Sequence, residues 1–188
     1  MNLTEPLSET VMIGGKEYPL DLSYDNVLRL HELIADKAIP EEIKFDIGLN
    51  MLIDEELTFE WVDKLQIFNE LLTAIFGDQE DSMIYDLDGN PIPLKKKKEE
   101  IYFSFKHDAE FIYASFMQTY GIDLMEQQGI LHWDKFKALL QGLPDGTKLS
   151  QVMDIRRREL PSGKDKYSRK EREQLIDLKK RYKLPEED

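Results

Sequence analysis

His107 and Glu110 stand three positions apart, a spacing that puts both on one helix face and could offer two ligands to a metal. No second His/carboxylate motif accompanies them. The plainer expectation is a helix-opening turn, Lys106-His107-Asp108, in which Asp108 serves the helix dipole. The other histidines, His31 and His132, are isolated, and His31 falls on an apolar helix face, where a packed, hydrogen-bonded role is expected. Asp86-Leu87-Asp88-Gly89-Asn90 has the flavour of a calcium loop, but glycine is fourth from Asp86, where an EF-hand needs it sixth, so turn chemistry explains the run. There is no cysteine, which excludes disulfides, thiolate nucleophiles and zinc-thiolate or iron–sulfur sites. Nucleophile-elbow, phosphate-loop and dinucleotide glycine motifs are missing. The expectation is therefore no enzyme, no metal and no cofactor.

Basic clusters at Lys95–Lys98, Arg156–Arg158 and Lys179–Arg181 raise the question of nucleic acid. They sit in a chain of 188 residues with 25 Lys/Arg against 38 Asp/Glu, net −13, whose overall field opposes phosphate. Nucleic acid is thus not the expected partner. The charge is uneven: residues 1–90 carry 5 Lys/Arg against 21 Asp/Glu, and residues 91–188 carry 20 against 17. Such asymmetry suits an interaction surface or head-to-tail self-association; an acidic coat for solubility is the bland alternative. No apolar run approaches the roughly 20 residues of a membrane span, and Met1–Pro6 lacks the features of a signal peptide, so no membrane partner is expected. At 41% apolar and 10% aromatic, the chain can bury a core.

The elements that would carry these residues are mostly helical. Val11-Met12-Ile13, Gly14-Gly15 and Lys16–Leu20 predict an edge hairpin. Ser23 caps a first helix bearing Tyr24, Val27, Leu28, Leu30, His31 and Ile34. Pro40 opens a second that carries Ile43, Ile47 and Met51 and ends near Asp54, and Thr58 caps a third with a stripe from Trp61 to Phe76. Residues 77–98 read as a linker with a basic run and a small hairpin around Asp88-Gly89. Beyond it, helices are expected from Phe105 to Gly121, from Leu131 to Gln141, from Thr147 into Arg156–Arg158, and from a capping box at Ser168. The fold class is mainly α with a short N-terminal hairpin. Its organisation is 1–76 with the hairpin and acidic helices, 77–98 as linker, and 99–188 as an aromatic-rich helical region, with one continuous domain as the alternative.

Aromatics crowd the second half, among them Tyr102, Phe103, Phe105, Phe111 and Tyr120. Core packing is the default for most; any exposed subset would hold a partner. The expected partner-binding set is Tyr113, Phe116, Trp133 and Phe136 with Arg156, Arg157 and Arg158.

The ordered stretches Asp108-Ala109-Glu110-Phe111-Ile112-Tyr113-Ala114-Ser115-Phe116, Tyr120-Gly121-Ile122-Asp123-Leu124, Leu131-His132-Trp133, Phe136, Ala138-Leu139-Leu140, Gly142-Leu143 and Ile155-Arg156 resemble the bacteriophage gene-product-fifteen family. The resemblance runs over residues 10–182 and is sharpest at 108–158. It implies a tail-module protein of siphophages and prophages: a tail assembly chaperone that coats the tape measure protein and keeps it soluble. It also implies no enzymatic chemistry, self-association, contact with other tail assembly proteins, and residence in the host bacterial cytoplasm with absence from the mature virion. Behind that reading stand a minor structural protein retained in the tail, a metal-dependent enzyme and an RNA-binding regulator.

Overall fold

The computed structural model describes residues 3–77, 84–85, 91–92, 102–163 and 165–185. It divides the chain into two compact units, Met1–Glu99 and Glu100–Asp188. Helix accounts for 54% of the described residues, so the fold is mainly α.

The first unit opens with strands β1 (Thr10–Ile13) and β2 (Lys16–Pro19), paired antiparallel with Ile13 opposite Lys16. The two-residue turn between them needs positive φ twice, which Gly14 (φ 57°) and Gly15 (φ 82°) supply without a Cβ penalty. Three helices follow: α1 (Tyr24–Ala35), α2 (Glu41–Leu52) and α3 (Trp61–Phe76). α2 packs against both neighbours, and Val27, Leu30, Phe45, Leu49, Leu52, Phe68 and Leu71 form the core. Asn26, buried, donates to the carbonyls of Asp21 and Met51 at 3.0 and 2.6 Å and so ties the start of α1 to the end of α2.

Several local expectations are corrected. In α2 the inward face is Lys44, Phe45, Gly48, Leu49 and Leu52, while Ile43 and Ile47 face solvent at 50% and 40% exposure. The helix is apolar on two sides, and Lys44 decides the register: its stem is buried and its ammonium donates to the Ile34 carbonyl at 2.9 Å, at the negative end of α1. Gly48 permits the close approach, since a Cβ there would lie 2.6 Å from the Phe68 ring. His31 is exposed, its ring edge-on to Phe76. The N-cap position of α3 is Glu60, two positions beyond Thr58, and its side chain makes no capping hydrogen bond.

Short strands β3 (Ile84–Tyr85) and β4 (Pro91–Ile92) pair antiparallel within the expected linker; the connecting Asp86–Asn90 run and Lys95–Lys98 lie outside the described residues. The second unit contains α4 (Ala109–Tyr120), α5 (Trp133–Gln141), α6 (Lys148–Arg157) and α7 (Lys166–Arg181). α4 packs on α5 and α6, and α7 packs on α6. Phe105 precedes α4 rather than lying in it. Thr147 caps α6 as expected, accepting from the Ser150 backbone N–H. α7 is capped by Asp165, whose carboxylate accepts from Tyr167 and Ser168; Ser168 donates its hydroxyl to Asp165 and is not itself the cap.

Candidate functional site

The second unit is built around a charged hub. Asp108 is the N-cap residue of α4 and Arg156 lies in the last turn of α6. They meet end-on: Nη1 donates to Oδ2 at 2.6 Å and Nη2 to Oδ1 at 2.7 Å. The carboxylate is 1% exposed and the guanidinium 10%. Further bonds surround the pair. Asp108 also accepts from the Ser104 N–H at 2.9 Å, and Arg156 donates to the carbonyls of Tyr102 (2.8 Å) and Tyr182 (2.6 Å). Lys179 of α7 donates back to the Arg156 carbonyl at 2.8 Å. One bidentate pair thus gathers the segment before α4, the end of α6 and the end of α7.

Two smaller contacts reinforce it. Buried Ser115 on α4 donates to the Phe111 carbonyl and accepts from the Leu149 N–H at 3.1 Å, satisfying one of the unpaired donors of the first turn of α6. Lys148 donates to the Tyr182 hydroxyl at 2.7 Å and lies over the Phe111 and Tyr182 rings. Its ammonium lowers the Tyr182 phenol's pKa, because the positive partner favours the phenolate.

The expected partner-binding residues separate into four groups. Phe116, Phe136 and Trp133 are core: Phe136 stacks on Phe116 at 5.3 Å and on Trp133 at 5.6 Å, and all three are nearly inaccessible. The folded unit presents none of these rings to a partner, because burying them is what closes α4 on α5. Tyr113 is half-buried and donates its hydroxyl to Asp123 at 3.1 Å, a bond that raises the phenol's pKa. Arg156 belongs to the hub. Arg157 and Arg158 alone are exposed, and Arg158 pairs with Asp154 one turn back on α6.

His132 caps α5, its Nδ1 accepting from the Asp134 N–H at 3.1 Å. His107 and Glu110 are both exposed, and among the described residues no group of three or more His, Asp or Glu side chains is placed to hold a metal. No helix among the described residues is long and apolar enough to cross a membrane.

Sequence reasoning missed the surface of the first unit. Trp61 and Val62, at the start of α3, are 52% and 66% exposed. Val62, Leu65, Gln66, Asn69, Glu70 and Thr73 line an open hollow of about 500 Å³ along that helix. Glu70 is the one carboxylate in its lining, and the unit as a whole is acidic: residues 3–77 carry 16 Asp/Glu against 5 Lys/Arg. The available signal was the stripe of α3 itself, whose apolar residues are too many for one inward face.

The family model described as Bacteriophage Gp15 protein matches residues 3–184, and the chain belongs to that family. It is a phage-related protein. No curated protein and no solved structure gives a significant match.

Proposed function

We propose that this chain is a tail assembly chaperone that binds the phage tape measure protein and keeps it soluble in the host cytoplasm, leaving before the virion matures. The family places the chain in phage biology. The observation that favours a holdase is the exposure of large apolar side chains, Ile43, Ile47, Trp61 and Val62, on a unit whose charge is overwhelmingly negative. Exposed apolar surface captures an aggregation-prone helix, and acidic surroundings keep the protein itself dispersed.

Co-expression with the tape measure protein of the same phage, followed by pull-down and light scattering, tests this. Soluble co-elution with several copies per tape measure is the expected result. An insoluble tape measure beside a free chain overturns it, and finding the chain in purified virions would move it among the structural tail proteins.

A further inference from the structure

Among the exposed features, the outward stripe of α3 carries the argument furthest. Its inward face is Phe68, Leu71 and Ile75, all buried. The opposite face, repeating at helical spacing, runs Val62, Leu65, Gln66, Asn69, Thr73, and borders the open hollow for about three turns. Trp61 adjoins it, one face of its ring system held by an edge contact with Phe45 at 5.7 Å. The aromatic is therefore positioned though half exposed. Asp63 and Glu70, seven residues apart and both exposed, align along one edge, and Gln66 donates to Glu70 at 2.9 Å.

Only Trp61, Val62 and Leu65 on this face are apolar, so the apolar part is a patch at the start of α3, continued by Gln66, Asn69 and Thr73. Such a patch with a carboxylate edge complements the apolar anchors of an amphipathic helix whose flank carries Lys or Arg. The chain's own basic helix, α7, does not fit the part: it buries Leu175 within its own unit and is anchored there through Lys179 and Tyr182. A second copy would have to undo that packing to donate it. We infer that the α3 stripe, Trp61-Val62-Leu65 with its Asp63/Glu70 edge, is a docking groove for a basic amphipathic helix of another protein. This rests on the chaperone reading and names the surface and the partner chemistry it would use.

The probe is a synthetic 20-residue Leu/Lys amphipathic helix, with a Leu/Glu helix of the same apolar pattern as control. Trp61 reports binding, since the second tryptophan, Trp133, is 5% exposed and already in an apolar setting. The Leu/Lys helix should shift Trp61 emission to the blue, and the Leu/Glu helix should not. V62S/L65S should weaken binding about tenfold, and D63N/E70Q should weaken it several-fold and flatten its salt dependence. Far-UV circular dichroism checks that these variants of half- to fully exposed side chains keep their helices. Equal binding of the two peptides, or unchanged affinity in folded V62S/L65S, overturns the proposal. Pull-down of the tape measure separates it from the parent reading. If V62S/L65S retains the tape measure as the wild type does, the groove falls and the chaperone stands. If the wild type binds the Leu/Lys helix but no tape measure, the groove stands and the chaperone falls.

Discussion

Both units leave some apolar side chains in solvent, Met125, Ile130 and Tyr167 in the second among them, but they treat their tryptophans differently: Trp61 is 52% exposed and Trp133 5%. The second stacks Phe116, Phe136 and Trp133 inside and locks the surrounding segments with a desolvated Asp108–Arg156 pair. The first leaves Ile43, Ile47, Trp61 and Val62 in solvent among carboxylates. The residues that make the family recognisable, around Asp108–Phe116, Leu131–Trp133 and Ile155-Arg156, are those that hold the second unit together. A recognisable motif here reports the fold, and the α3 surface proposed above for docking lies in another stretch of the chain.

The hub offers the harshest way to break that comparison. Asp108→Ala should strand a buried guanidinium and cost the second unit about 3–5 kcal/mol. Denaturant unfolding followed by Trp133 emission, in a Trp61→Phe background, measures it. A loss below about 1 kcal/mol would mean that the hub is solvated and that the second unit is held by its aromatics alone. Phe136→Ala, removing the ring between Phe116 and Trp133, should cost a similar amount, about 3–5 kcal/mol by cavity formation.

Gly48→Ala probes the first unit's interior. Helix propensity alone predicts a gain of about 1 kcal/mol. A Cβ 2.6 Å from the Phe68 ring and 3.0 Å from Leu30 costs about 1–3 kcal/mol by overpacking, so the net sign should be destabilising. Trp61 emission in a Trp133→Phe background reads it, and a stabilised variant would show that α2 and α3 sit further apart.

What the sequence disclosed follows from which forces are local. The hairpin was legible because Gly14-Gly15 names its own turn, and the Thr147 cap because its hydroxyl and the Ser150 N–H are three residues apart. The register of α2 was not legible: Ile43, Phe45, Ile47, Leu49, Met51 and Leu52 cover both faces, and only the tertiary partner for Lys44 chooses between them. The hub was not legible either, because 48 residues separate Asp108 from Arg156, and each has a sufficient local reading as a dipole partner. The α3 stripe was hidden by the default that large apolar residues on a helix point inward.

Acid should act on the second unit through α7. Asp165's carboxyl is held below its ordinary value by the hydroxyl and backbone N–H of Ser168. A carboxyl with a lowered folded-state pKa stabilises above its unfolded value, about 3.9, and that contribution fades as pH falls from there through the lower folded value. Amide protection in the first turn of α7, measured against the intrinsic exchange rate at each pH, should therefore fall on acidification through that window. Asp165→Ala should exchange faster at neutral pH and respond less to acid. An acid response unchanged in Asp165→Ala would assign the effect to another carboxyl.

The smallest expected effect is the one that defines the contrast. Val62→Ser should alter the first unit's stability by no more than about 0.5 kcal/mol, because a side chain already 66% exposed has little burial to lose. The same denaturant experiment in the Trp133→Phe background measures it beside Gly48→Ala. The two variants lie on facing helices of one unit, so a large cost for Gly48→Ala with almost none for Val62→Ser would separate the packed side of α3 from its open side. A cost above about 1.5 kcal/mol for Val62→Ser would mean that this side chain is covered within the chain, and the open side of α3 would then be part of the unit's packing.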